Sequence, residues 1–114
     1  LKTKLALTVV LLVLISGGAG QTALAQGNTP SWLRNAFMCI HKYEGAWNAN
    51  TGNGYYGGLQ MDWNFMRAYG SHYLRRYGPA HNWTPAMQIE VAARAYNSGR
   101  GFSPWPNTRR MCGL

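Results

Sequence analysis

Residues 39–61 read CIHKYEGAWNANTGNGYYGGLQM, and a change of character inside this stretch decides the fold. Up to Glu44 it completes an amphipathic helix, because Leu33, Ala36, Phe37 and Ile40 recur at three- and four-residue intervals. Thr29-Pro30 reads as an N-cap followed by proline at the first helical position, and Gly45 supplies the stop. From 48 to 58, Asn, Gly and Thr crowd out any apolar periodicity. The expectation there is a short hairpin or an irregular glycine-rich turn, packed through Tyr55, Tyr56, Leu59 and Met61.

Downstream, Asp62 is placed to cap a second helix over 63–69, interrupted at Gly70 and followed by a short helical piece over 71–77. Thr84-Pro85 repeats the cap-plus-proline signal. Met87, Val91 and Ala95, flanked by Ile89, Ala92 and Tyr96, mark a third helix that Asn97-Ser98-Gly99 stops. The tail from Gly101, with Pro104 and Pro106 around Trp105, reads as an extended wrap held by Cys112. The fold class expected is α+β, mainly helical: a small domain with a glycine-rich hairpin after the first helix and one disulfide.

Upstream, Lys2 and Lys4 precede an apolar run over 5–15, and Ala23-Leu24-Ala25 places small residues where a signal peptidase cuts. Residues 1–25 therefore read as a secretory signal peptide. This run of eleven residues, apolar but for Thr8, at about 1.5 Å each falls short of a hydrocarbon core of roughly 30 Å. The domain plan is a signal peptide over 1–25, a short disordered stretch over 26–30, and one domain over 31–114. The mature chain has 89 residues, small enough to need support beyond its core, and no integral membrane segment. Cys39 and Cys112 are the only cysteines, and in an oxidising compartment they allow one intramolecular bridge, first helix to tail.

The charge balance is lopsided: 11 Lys and Arg stand against 3 Asp and Glu, a formal charge of +8. Three acids leave no carboxylate set for a metal, and the histidines show no ligand spacing, so neither metal nor cofactor is expected. Asp62 reads as a helix cap, and Glu90 as a surface partner of Arg94 four residues on. Glu44 remains. It stands at a helix C-terminus between Tyr43 and Trp47, where the dipole and aromatic shielding both favour the neutral carboxyl. Such a group can protonate a glycosidic oxygen. With no second catalytic carboxylate, help must come from elsewhere, for example from a substrate N-acetyl group whose carbonyl oxygen attacks the anomeric carbon.

Aromatic residues are too many for so small a core to bury them all. Trp47, Tyr55, Tyr56, Tyr96 and Trp105 are candidates for a sugar-binding groove, with Gln60, Asn53 and Asn97 as neutral hydrogen-bonding partners. The arginines are spread along the chain and favour an anionic polymer by steering. They form no compact patch, which argues against nucleic acid.

The string 39–61, above all TGNGYYGGLQ over 51–60, resembles the transglycosylase-like domain of actinobacterial resuscitation-promoting factors. QIEVAARAY over 88–96 and Trp105-Pro106 before Cys112 are similar to the same family, which pairs its tail cysteine with the one upstream of the glutamate. Four residues separate Cys39 from Glu44 where that family has none, and AYNSG over 95–99 resembles a motif of the wider soluble lytic transglycosylases. The resemblance implies a lysozyme-like fold cutting the β-1,4 bond between N-acetylmuramic acid and N-acetylglucosamine, with Glu44 as acid and then base. It implies Tyr96 supporting the glutamate, Asn97 on the glycan, a secreted or wall location, and peptidoglycan strands as partner, with another cell-wall hydrolase as a further candidate. Two other functions compete: a glycan-binding module of the same fold that does not cut, and a cationic protein acting on membranes or wall polymers by charge alone.

Overall fold

The computed structural model describes residues 28–114; the signal-peptide reading of 1–25 lies outside them. Helix α1 spans Ser31–Glu44 and buries Leu33, Ala36, Phe37 and Ile40, the face that the periodicity marks. It begins one residue later than expected. Pro30 holds the cap position without a side-chain hydrogen bond, and the Arg34 guanidinium donates to the Thr29 carbonyl at 3.1 Å.

The segment after α1 corrects the α+β reading. Among the described residues there is no strand, only two isolated antiparallel bridges, Asn50 with Tyr56 and Tyr56 with Met61. Gly52, Gly54, Gly57 and Gln60 all have positive φ, so left-handed residues interrupt the chain every two or three positions. A strand needs consecutive extended residues, and none of the runs between these turns is long enough to build a ladder. The glycine-rich hairpin is instead a set of tight turns in an otherwise helical fold.

Helix α2 spans Trp63–Tyr69, with Asp62 accepting from the Phe65 amide at 2.8 Å as its cap. Helix α3, Ser71–Tyr77, follows across Gly70. A short 3-10 turn, Ala80–Asn82, leads to α4, Pro85–Ala95, capped by the Thr84 hydroxyl with Pro85 in its first turn. A widened π-type turn over Tyr96–Arg100 ends α4, and Gly99 leaves helical geometry there with φ 105°. Glu90 pairs with Arg94 at 3.1 Å, as the spacing predicts, and accepts the Tyr73 hydroxyl. Burial and this carboxylate push the Tyr73 pKa up to about 12.

The tail is the second correction, because it is not extended. Three-residue turns carry it through 100–105, and a short helix α5, Thr108–Met111, follows. Trp105 is the reason. It is 3 % exposed, its ring meets Phe37 and Phe65 edge-on at 5.1 and 5.6 Å, and its Nε1 donates to the Leu59 carbonyl at 2.8 Å. Burying that indole with its N–H satisfied folds the flanking chain inward. The core is continuous from Phe37 and Ile40 of α1 through Leu59 and Met61 to Met66, Val91 and Trp105. The disulfide Cys39–Cys112, with Cα atoms 6.0 Å apart, joins α1 to the residue after α5. No helix among the described residues is long and apolar enough to cross a membrane.

Candidate active site

Glu44 is the last residue of α1, half-buried, and its Oε1 accepts a hydrogen bond from the Thr108 hydroxyl at 3.3 Å. Burial raises its pKa above the ordinary glutamate value, and the Thr108 bond partly opposes the rise. The direction agrees with the sequence reading. Thr108 itself escaped that reading, although a signal for it existed. Glu44 lies five residues past Cys39 and Thr108 four residues before Cys112, so the disulfide that joins α1 to the tail brings both to the same end.

The other two acids are occupied elsewhere, Asp62 on the Phe65 amide and Glu90 on Arg94 and Tyr73. Glu44 is thus the one carboxylate free of a structural cap or ion pair among the described residues. No group of three potential metal ligands forms among those residues.

The glycine-rich string closes around a buried amide. Gln88 of α4 is fully buried; its Nε2 donates to the Trp47 and Trp83 carbonyls at 2.9 and 3.0 Å, and its Oε1 accepts the Gly58 amide at 2.8 Å. Its hydrogen-bonding capacity is matched from three separate segments, which is what a buried amide requires. Trp47 stacks on His41 at 3.7 Å, and His41 Nδ1 donates to the Gly58 carbonyl at 3.1 Å. A Cβ on Gly58 would collide with both rings, so close packing rather than a turn demands glycine there.

Gln60 is the link from this scaffold to Glu44. Its Nε2 donates to the Gly57 carbonyl at 2.9 Å, and a Cβ built on Gly45 would lie 3.3 Å from that nitrogen. The amide therefore lies against the residue that follows Glu44. Asn53 donates weakly to Gln60 at 3.5 Å and accepts the Tyr55 amide at 3.0 Å. A groove of about 470 Å³ opens here, lined by Tyr55, Gln60, Asp62, Tyr69, Arg100 and Trp105 among others.

The candidate binding residues divide accordingly. Tyr55, Gln60 and Trp105 line the groove, the first half-exposed and the last almost wholly within the core, and Asn53 joins it through Gln60. Trp47 and Tyr56 pack behind it on His41 and His81. Tyr96 lies against Trp32 and Phe102, and Asn97 is exposed on the turn after α4; neither is on the groove lining. Glu44 is not on the lining either but adjoins it through Gly45 and Gln60. A larger, mainly apolar cavity of about 770 Å³ beside Met38, Met87 and Tyr73 contains none of the candidate residues. Arg100 and Tyr69 are groove residues that the sequence reading did not single out.

A transglycosylase-like domain family matches residues 40–108. The chain is 36 % identical over 117 residues to a resuscitation-promoting factor of Corynebacterium glutamicum, covering 99 % of this chain and 58 % of the relative. A resuscitation-promoting factor of Mycobacterium tuberculosis is 41 % identical over 69 residues, covering 60 % of this chain and 34 % of the relative. One from Micrococcus luteus is 33 % identical over 100 residues, covering 87 % and 41 %. The chain thus spans between about a third and three-fifths of the length of these relatives. The family match opens one turn before Glu44 and closes on Thr108, its hydrogen-bond partner, and the chain belongs to the resuscitation-promoting-factor family through this transglycosylase-like domain.

Proposed function

We propose that the chain is an exported glycosidase that cuts the β-1,4 bond between N-acetylmuramic acid and N-acetylglucosamine in peptidoglycan, with Glu44 as its single acid and base. The signal peptide of 1–25 carries it out of the cell, and the domain over 31–114 acts in the wall. The observation that carries this reading is the state of Glu44. It is half-buried with a raised pKa, it has neither an ion-pair partner nor a capping duty, and it stands beside a groove lined with aromatic and amide groups.

In the first step the Glu44 carboxyl gives its proton to the glycosidic oxygen as the bond from C1 to that oxygen breaks. The acetamido carbonyl oxygen of the same sugar forms the new bond to C1. The Glu44 carboxylate then takes a proton from either the sugar's C6 hydroxyl or a water. That oxygen displaces the acetamido group, leaving a 1,6-anhydro end or a reducing end. Thr108 favours the ionised carboxylate and holds its orientation. Tyr55, Gln60 and Asn53 contact sugar along the groove, with Trp47, Tyr56 and Trp105 supporting its walls; Tyr96 and Asn97 contribute from the turn after α4.

Mass spectrometry of the soluble products from intact peptidoglycan, beside the Glu44→Gln variant, tests the reading. Anhydro-ended fragments absent from the variant make it a lytic transglycosylase, and reducing-ended ones make it a muramidase. A folded, disulfide-bonded sample that releases no glycan fragments overturns the catalytic reading and leaves a glycan-binding module.

A further inference from the structure

Asn53 is the only asparagine of the chain followed directly by glycine. It is exposed, and it stands between Gly52 and Gly54, whose φ angles are 81° and 85°. A Cβ built on either glycine would meet no atom within 4 Å, so neither a side chain nor close packing restrains the backbone on the two sides of Asn53. The Asn53 carboxamide is folded back over the residue that follows it, because its Oδ1 accepts the Tyr55 amide at 3.0 Å. A donor on that oxygen polarises the carbonyl and stabilises the negative charge that gathers there when Cγ is attacked. The nucleophile within reach is the Gly54 nitrogen, which closes a succinimide ring with Cγ. Every other asparagine precedes a residue whose side chain crowds the corresponding nitrogen.

We propose that Asn53-Gly54 is a self-modifying site, which turns a neutral amide beside the groove into a carboxylate and so limits the working life of the glycan-binding surface. The Gly54 nitrogen forms a bond to Asn53 Cγ and gives up its proton. The bond from Cγ to Nδ2 breaks, and Nδ2 leaves as ammonia. Water then opens the ring at either carbonyl, leaving aspartate at position 53 or, with the main chain rerouted through the side chain, isoaspartate. Water is the sole co-reactant, and nothing is oxidised or reduced. Either product loses the Nδ2 donor that reaches Gln60 at 3.5 Å. Isoaspartate also adds a main-chain methylene just ahead of Tyr55, which lines the groove. The modification belongs to the chain itself; its effect on glycan rests on the glycosidase reading.

Warm incubation of the folded Glu44→Gln protein, followed by peptide mass mapping, reads the conversion, and binding of soluble peptidoglycan strands before and after reads its effect. Position 53 is expected to convert at least about tenfold faster than Asn50 or Asn97, and within about tenfold of its rate in the urea-unfolded chain. The rate is expected to rise with pH, because the Gly54 nitrogen must lose its proton. Adding Asn53→Gln, whose longer side chain would have to close a larger ring, is expected to stop the conversion. Strand affinity is expected to fall about threefold or more on incubation, the worth of one hydrogen bond, and to hold steady on incubation once Asn53→Gln is present. Conversion no faster at 53 than at the other asparagines, or suppressed by folding well beyond tenfold, overturns the site. Conversion without loss of affinity overturns its effect on the groove. A fresh protein that binds no strand overturns the glycosidase reading and that effect with it, while the mass map still decides the modification.

Discussion

Thr108 and Glu44 form a pair whose behaviour with pH can be worked out by sign. A hydroxyl that donates to a carboxylate favours the ionised form, so removing it raises the Glu44 pKa beyond what burial already does. In the proposed reaction Glu44 starts protonated, so activity is expected to be lost as pH rises through its pKa. Thr108→Val is expected to move that high-pH limb upward by about 0.5–1 unit, the worth of one hydrogen bond, while Thr108→Ser leaves it in place. A pH–rate profile on peptidoglycan reads both. The same burial has a cost for folding. Because the folded pKa is raised, the carboxyl destabilises the fold above its unfolded pKa and is without effect below it. Glu44→Gln should therefore melt a little higher at pH 7, on the order of 1–3 °C after discounting for solvent, and show no gain near pH 3.5. Paired calorimetric scans at the two pH values decide it.

The elements show which signals the sequence carried. Helices α1 and α4 were legible from their apolar stripes. Helix α1 buries all four residues its stripe names, and α4 buries Ile89, Val91, Ala92 and Ala95 with Met87 and Tyr96 at its edge. The expected cap formed at Thr84 but not at Thr29. The Asp62 cap and the Glu90–Arg94 pair were legible from spacing alone. The segment over 48–58 was legible only in part, since the sequence left a hairpin and an irregular glycine-rich turn both open and the fold class expected took the hairpin. Alternating Tyr, Gly and Leu looks like half of a hairpin, and only the positive φ of Gly52, Gly54, Gly57 and Gln60 shows that no ladder can form. Gln88 was equally hidden, because its partners Trp47, Gly58 and Trp83 come from separate segments. The glycine-rich string is thus a packing device, whatever it binds in the proposed function. Gly58→Ala pushes a methyl into the Trp47 and His41 rings and is expected to cost about 1–3 kcal/mol, read from urea unfolding. It should also weaken glycan binding, since Gln60 follows two residues later on the same turn.

At the scale of the molecule, one covalent link and one indole hold the two ends of the domain together. The bridge between Cys39 and Cys112 closes a span of 73 residues, worth about 4 kcal/mol on the chain-entropy account, a large share of what so small a core supplies. Reduction is expected to lower the urea midpoint sharply at neutral pH, with the buried indoles Trp83 and Trp105 together reporting the loss as a red shift in emission. The tail was misread as an extended wrap because two prolines beside a tryptophan signal extension locally, whereas burial of Trp105 is decided by Phe37, Phe65 and the Leu59 carbonyl, all far away in sequence. That arrangement also sets a timetable. A ribosome delivers Glu44 long before Trp105, Thr108 and Cys112, so a growing chain holds its acid without the hydroxyl that orients it or the bridge that fixes it. Residues 105–112 are the assembly step, and a product that stops short of them carries Glu44 without the partners that the proposed chemistry gives it.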